Sequence, residues 1–132
     1  MPNANGKKNI LLVDDDDISL CMAESMLEED YNVITAESGK KALELMYNNF
    51  IPDLIFLDIF MPEMDGWETF HRVRAVGFLH NVPIVFLTSL DGIEDKKYAQ
   101  KLGAADYITK PLDRDVLLEC IETVLKKGVT KP

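Results

Sequence analysis

Carboxylates, a hydroxyl and an ammonium group directly follow four short apolar segments of the 132-residue chain. These polar residues are Asp14–Asp17, Asp58, Thr88 with Ser89, and Lys110. Two carboxylates 4 Å apart at a protein surface repel each other by roughly 4 kcal/mol, so a cluster of them requires protons or a cation. Oxygen ligands without His or Cys suit Mg²⁺, and we therefore expect a magnesium site. A carboxylate, a divalent cation and a lysine around one opening would form a receptor for a transferring phosphoryl group.

Five short segments rich in β-branched and aromatic residues predict the strands that position these groups. They are residues 9–13, 31–36, 54–57, 83–87 and 106–109. Three of them contain uninterrupted apolar runs, at 10–13, 54–57 and 84–87, which is typical of strands buried on both faces of a parallel sheet.

The segments between these strands have helical spacing. In the first, an apolar stripe at i, i+3, i+4, i+7 and i+8 predicts an amphipathic helix, with the members Ile18, Cys21, Met22, Ser25 and Met26. Acidic pairs three residues apart, Asp65 with Glu68 and Asp91 with Glu94, predict capped helix starts. Asp113 is expected to open the last helix and Gly128 to end it.

Strands and helices thus alternate five times, which predicts an α/β fold with an open parallel sheet covered by helices on both faces. In such sheets ligands bind beyond the carboxyl ends of the strands. We expect one domain over residues 9–127, a flexible N-terminal segment at 1–8 and a C-terminal tail at 128–132. The polar start is expected to be a loose end and not a leader peptide.

Composition excludes several classes of function. The chain has 23 acidic and 14 basic residues and a formal net charge of −9, which disfavours direct binding to nucleic acid or to an anionic membrane. Its apolar runs are far shorter than the about 20 residues of a membrane span. Two distant cysteines, Cys21 and Cys120, indicate a reducing compartment, the cytoplasm, and we expect both thiols to be buried.

Four motifs together resemble the receiver domain of two-component response regulators, over about residues 8–127. They are Val13–Asp16, Leu57–Gly66, Phe86–Ser89 and Tyr107–Pro111. The resemblance implies a flavodoxin-like sheet with strand order 2-1-3-4-5. It also implies a regulatory phosphoprotein, not an enzyme, which receives its phosphoryl group from a sensor histidine kinase or a histidine phosphotransfer protein.

The resemblance assigns a role to each residue of the predicted site. Asp58 matches the phosphoacceptor. Mg²⁺ would be held by Asp14, Asp15, Asp58 and the backbone carbonyl of Phe60. Thr88, Lys110 and Tyr107 match the residues that bind the phosphate and switch, and the Lys110–Pro111 bond is expected to be cis.

The resemblance also leads to expectations about partner proteins and about the lifetime of the phosphorylated state. Similar domains contact a downstream effector, or form a homodimer on phosphorylation, through the surface of the fourth helix, fifth strand and fifth helix. Phe60 and Leu90 occupy positions beside the path of the hydrolytic water in similar domains. Their apolar side chains are expected to lengthen the life of the phosphorylated state.

Three alternatives remain at this stage. A haloacid-dehalogenase-type phosphatase would use Asp14 and Asp16, but it needs further acidic ligands after Lys110 and leaves Asp58 unexplained. A flavodoxin-like mononucleotide binder would not place four carboxylates after its first strand. A pseudo-receiver would act without phosphorylation. The cognate kinase, and whether the domain stands alone or belongs to a longer regulator or hybrid kinase, are not predicted.

Overall fold

The computed structural model describes residues 6–89 and 93–130, with the backbone alone at 93–94 and 127–130. The strands are β1 (Asn9–Val13), β2 (Asn32–Ala36), β3 (Leu54–Asp58), β4 (Ile84–Thr88) and β5 (Asp106–Thr109). The helices are α1 (Asp17–Leu27), α2 (Gly39–Tyr47), α3 (Gly66–Ala75), α4 (Ile93–Leu102) and α5 (Arg114–Thr130), with a 3₁₀ turn at Gly77–Leu79.

The five strands form a parallel sheet in the order β2-β1-β3-β4-β5. This confirms the predicted α/β fold and its strand order. The predicted strand bounds agree with the structure to within one residue. One consequence is that Asp58 and Thr88 are the last residues of β3 and β4, whereas the sequence placed them just after the strands.

The sheet separates two apolar cores, because alternate side chains of each strand point to opposite faces. On one face Leu11, Leu57 and Phe86 pack with residues of α2, α3 and α4. On the other face Leu12, Phe56 and Leu87 pack with residues of α1 and α5. This two-sided burial explains why the runs at 10–13, 54–57 and 84–87 are apolar throughout.

Acidic side chains begin three of the helices. Asp16 caps α1, and the Asp65 carboxylate caps α3 by accepting a hydrogen bond from the Glu68 backbone amide at 2.9 Å. The Asp113 carboxylate accepts from the backbone amides of the second and third residues of α5, at 2.8 and 3.2 Å. The starts at Asp65 and Asp113 were predicted from the sequence, whereas the predicted cap at Asp91 lies outside the described residues.

The predicted apolar stripe of α1 is not its buried face. Ile18 is 71% exposed and Met22 is 49% exposed, and Leu20, Ala23 and Leu27 are buried instead. The reason is that α1 carries two apolar stripes with helical spacing, and only the second of them faces the sheet. Cys21 lies on the exposed stripe, so the expectation of two buried thiols is wrong for Cys21 and holds for Cys120.

The last helix does not end at Gly128, because α5 continues to Thr130. A glycine inside a helix costs only about 1 kcal/mol relative to alanine, which a continuing helix tolerates. Among the described helices, none combines the length and the apolar content that crossing a membrane requires.

Candidate functional site

Strand register brings three of the predicted site residues to one corner of the sheet. Leu12, Phe56 and Ile108 contribute to the same core, on β1, β3 and β5. Asp14, Asp58 and Lys110 each follow two residues later, and residues two apart in a strand share a face. The sheet therefore directs two carboxylates and an ammonium group towards one another at its carboxyl edge.

The ammonium group of Lys110 connects the two buried carboxylates. Its Nζ lies 2.6 Å from Asp14 Oδ2 and 3.6 Å from Asp58 Oδ1. Asp14 and Asp58 are almost fully buried, and the Lys110 side chain is 19% exposed. A buried carboxylate requires such a partner, because leaving its charge unpaired away from water is costly.

Asp15 completes a cluster of three acids. One carboxylate oxygen from each of Asp14, Asp15 and Asp58 lies within 4.8 Å of the others, and Asp15 is exposed to solvent. The donors are all oxygen, which is the chemistry that Mg²⁺ prefers. The three carboxylates face one ammonium group, so the cluster keeps an excess of negative charge that a divalent cation would balance. The residues present therefore fit a magnesium ion.

The pKa of Asp58 is raised to about 6, first by burial and then by the neighbouring charge of Asp14. Lys110 acts in the opposite direction on this pKa but does not cancel the shift. Burial alone would lower the pKa of Lys110, yet the hydrogen bond to Asp14 and the charges of both acids raise it. Lys110 thus stays an ammonium ion, whereas ionisation of Asp58 is less favourable than that of a solvated carboxyl group.

Backbone contacts hold Asp14 in place. Its carboxylate accepts a hydrogen bond from the Asp16 backbone amide at 3.0 Å, and its own amide donates to the Ala36 carbonyl at 3.1 Å. The Asp16 carboxylate accepts from the Ile18 amide, which lowers the pKa of Asp16. The four consecutive acids therefore divide: Asp14 and Asp15 belong to the cluster, whereas Asp16 caps α1 and Asp17 is its first residue.

Gly66 supports the backbone beside Asp58, which the sequence did not predict. The Gly66 amide donates to the Ile59 carbonyl at 2.7 Å, and a Cβ at Gly66 would collide with the carbonyl oxygen of Asp58. The sequence did contain a signal for this role, since a glycine directly follows the helix-capping Asp65. That pattern predicts a cap at Asp65 but does not by itself assign a role to Gly66. Close approach of two backbones is one of the few reasons for a glycine there.

The other predicted residues lie on β4, on β5 and in the loop after β3. Thr88 is buried at the end of β4, and Tyr107 on β5 is half-buried against the core that contains Phe86. Phe60, two residues after Asp58, is 51% exposed. The Lys110–Pro111 peptide bond is cis. Leu90 lies outside the described residues.

Comparison with known proteins agrees with the resemblance to receiver domains that the sequence motifs indicated. The family model described as the response regulator receiver domain matches residues 10–122. The chain is 37% identical over 119 residues to the chemotaxis protein CheY of Halobacterium salinarum, covering 89% of this chain and 97% of that protein. It is 38% identical over 110 residues to the response regulator PleD of Caulobacter vibrioides, covering 83% of this chain and 24% of that protein.

Solved structures share the fold. The receiver domain of a signal transduction histidine kinase from Syntrophus aciditrophicus superposes with a TM-score of 0.81 at 31% identity, covering 95% of this chain and 94% of that chain. The chain spans only 24% to 50% of the length of several curated relatives. What those longer proteins do as a whole is therefore not carried over to this chain.

Proposed function

The chain belongs to the response regulator receiver domain family, and from this premise we propose that it accepts a phosphoryl group on Asp58 from a histidine kinase or a histidine phosphotransfer protein. The observation that carries the proposal is the contact of Lys110 with both Asp14 and Asp58, beside the exposed Asp15. Three acids and one ammonium group at a sheet edge are suited to reversible binding of a phosphoryl group together with a divalent cation.

In the proposed transfer, an Asp58 carboxylate oxygen forms a bond to phosphorus while the bond from phosphorus to the imidazole nitrogen of the donor breaks. The electron pair of that bond stays on the nitrogen, and the product is an aspartyl phosphate. The reaction needs the ionised form of Asp58, since a carboxylate is a much stronger nucleophile than a carboxylic acid. Lys110, 3.6 Å from Asp58, is placed to neutralise charge on the phosphoryl oxygens.

The proposed metal ligands are the carboxylates of Asp14, Asp15 and Asp58 and the backbone carbonyl of Phe60. When bound, Mg²⁺ supplies the positive charge that allows two anionic groups to approach each other. The chain's own residues then orient Asp58: the Ile59 amide donates to the Leu87 carbonyl at 3.1 Å, which ties the end of β3 to β4.

We further propose that the new phosphate is bound by the hydroxyl of Thr88 and the ammonium group of Lys110. A phosphate adds negative charge and acceptor oxygens at the end of β3, so both groups gain by moving towards it. Tyr107 lies opposite Phe86 on the neighbouring strand and is placed to report the movement. The result is a shift between two arrangements of the surface formed by α4, β5 and α5.

Two surfaces are proposed for partners. Ile18 and Met22 expose apolar side chains on α1, which begins directly after the acidic cluster, and Phe60 does so on the loop after β3. A donor that reaches Asp58 would cover these side chains. For the effector or a second copy, a concavity of about 550 Å³ between β5 and α5, lined by residues that include Tyr107 and Val116, lies on the switching surface.

Under this proposal the protein is a regulatory phosphoprotein that assists only its own phosphorylation and dephosphorylation. Membership of the receiver family leaves the haloacid-dehalogenase-type phosphatase and the mononucleotide binder without support. A pseudo-receiver that acts without phosphorylation is the alternative that experiment must separate.

The test is incubation with acetyl phosphate, with and without Mg²⁺, followed by intact mass measurement. The wild type is expected to gain the mass of one phosphoryl group only when Mg²⁺ is present, and Asp58→Asn is expected to gain none. Asp53→Asn is a matched control, since Asp53 binds the Asn9 amide at the opposite edge of the sheet and should behave as the wild type. A wild type without an adduct would favour the pseudo-receiver.

A further inference from the structure

The indole ring of Trp67 contacts both β4 and α4. Trp67 is the second residue of α3 and is half-buried. Its ring centroid lies 4.7 Å from that of Phe86 on β4 and 4.7 Å from that of Tyr98 on α4, the latter pair nearly perpendicular at 79°. Such an edge-to-face contact is favourable and depends on orientation. One side chain therefore joins three elements of the structure.

The fourth helix has few other apolar anchors. Among its described side chains, Ala99 is buried and Leu102 is partly buried, while most of the others are charged or polar and exposed. On the side of α4 that faces β5 there is a recess of about 80 Å³, lined by residues that include Ala99, Ala104 and Tyr107. The contact with Trp67 thus makes a large contribution to the position of α4.

The same ring lies beside the strand that carries Thr88. Phe86 and Thr88 are two residues apart on β4 and point to the same face of the sheet. Phe86 is also the Cα partner of Tyr107 on β5. Any displacement at the end of β4 is therefore next to the aromatic group formed by Trp67, Phe86 and Tyr98.

We infer that Trp67 is a positioning residue: its contact with Tyr98 holds α4 in the unphosphorylated arrangement and so sets how readily phosphorylation of Asp58 switches the surface of α4, β5 and α5. The inference rests on the proposed function and deepens it. The arrangement that contains the contact is also the one in which Lys110 bonds Asp14 at 2.6 Å and stands further from Asp58. We therefore assign the Trp67–Tyr98 contact to the state before phosphorylation.

A contact made in only one of two states changes the equilibrium between them. Weakening it favours the other state, and a ligand that prefers that state then binds with higher apparent affinity. Loss of the Tyr98 ring should therefore tighten the binding of a phosphoryl mimic at Asp58, even though position 98 is remote in sequence from the acids.

The experiment is a titration with beryllium fluoride in the presence of Mg²⁺, followed through Trp67, the chain's single tryptophan. The wild type is expected to change its tryptophan emission, and Asp58→Asn is expected not to respond. Tyr98→Leu should lower the midpoint several-fold. Tyr98→Phe keeps a ring at this position and should return the midpoint to that of the wild type.

Phe70→Leu is the matched control for lost stability. Among the described residues its ring contacts His71, Phe86 and the guanidinium of Arg74, none of which is on α4, so the substitution weakens the same core without removing a ring contact of α4. The midpoint of Phe70→Leu should stay near the wild type while its thermal midpoint of unfolding falls.

Three results would overturn the inference. They are a Tyr98→Leu midpoint that is unchanged or raised, an equal shift in Phe70→Leu, and a wild-type emission that stays constant although acetyl phosphate gives the mass adduct. Absence of that adduct in the wild type is a different failure, because it contradicts the proposed function itself.

Discussion

Lys110 Nζ lies 2.6 Å from Asp14 Oδ2, although 96 positions of sequence separate the two residues. The same ammonium group stands 3.6 Å from Asp58 Oδ1. Among the described residues, one cation is thus shared between two buried acids, and its single charge does not balance both of theirs. The properties expected of this site follow from that shortage of positive charge.

Ionisation of Asp58 should destabilise the metal-free protein. Its pKa is about 6 in the folded chain and about 3.9 in an unfolded one, so the folded state binds the proton more tightly. The stabilisation is complete below about pH 4 and is lost as the pH rises through 6. We expect urea unfolding without divalent metal to show a fall on the order of 2 kcal/mol between these pH values.

Two comparisons isolate this effect. In Asp58→Asn, the free energy of unfolding should decrease much less between pH 4 and 6 than it does in the wild type. At pH 7, Mg²⁺ should stabilise the wild type more than this variant. Unfolding free energies that change equally with pH in the wild type and in Asp58→Asn would show that Asp58 is ionised at low cost.

Lys110→Met should destabilise the fold by about 3 kcal/mol, because it leaves two buried carboxylates without their cation. Thermal or urea unfolding at pH 7 measures the change. Lys41→Met is the control, since Lys41 pairs with Glu37 on the exposed surface and should matter little. Equal effects of the two substitutions would mean that Lys110 is not needed to balance the acids.

Gly66→Ala should displace the backbone at Asp58, because the new methyl group meets the Asp58 carbonyl oxygen. We expect a loss of about 1 to 3 kcal/mol in unfolding free energy and a lower yield of phosphorylated protein. Gly77→Ala is the matched control, as nothing lies within 4 Å of a Cβ at that position. A fully stable and reactive Gly66→Ala protein would contradict the assigned role of Gly66.

The two thiols should differ in reactivity. Cys21 is exposed on α1, whereas Cys120 is buried beside Asp106 and its pKa is raised to about 12, first by burial. A thiol reagent at pH 8 should label one cysteine per folded chain quickly and the second only on unfolding. Peptide mapping identifies the labelled site, and rapid labelling of Cys120 in the folded protein would contradict its burial.

Phe60→Asn should shorten the life of the phosphorylated state. Phe60 is 51% exposed two residues after the proposed phosphoacceptor, where we expect its apolar ring to keep water from approaching. Decay of the mass adduct after removal of acetyl phosphate measures the lifetime. Phe78→Asn, at a similarly exposed ring in the turn after α3, should decay as the wild type does. An unchanged lifetime in Phe60→Asn would remove the proposed shielding role.

Much of the fold could be predicted, because local patterns determine it. The runs at 10–13, 54–57 and 84–87 allow few structures other than buried strands, and acids such as Asp65 and Asp113 mark helix starts by their own hydrogen bonds. The convergence of Asp14, Asp58 and Lys110 followed from parallel strands, whose carboxyl ends share one edge.

What could not be predicted depends on packing between elements. Helix α1 has two apolar stripes, and its periodicity alone does not decide whether Met22 or Ala23 faces the sheet. The contact of Trp67 with Tyr98 joins two helices that are separate in sequence, so its existence depends on how both helices lie on the sheet. The support of Asp58 by Gly66 likewise requires the path of the β3–α3 loop.

The strand order also determines when during synthesis the site becomes complete. Asp14 directly follows β1 and Asp58 ends the neighbouring strand β3, and both are made early, whereas Lys110 directly follows β5, the edge strand and the last strand to leave the ribosome. A growing chain that has emerged only as far as β4 carries its acids without their counter-ion. If the proposed function holds, a chain truncated after β4 would not become phosphorylated efficiently, although Asp14, Asp15 and Asp58 are all present.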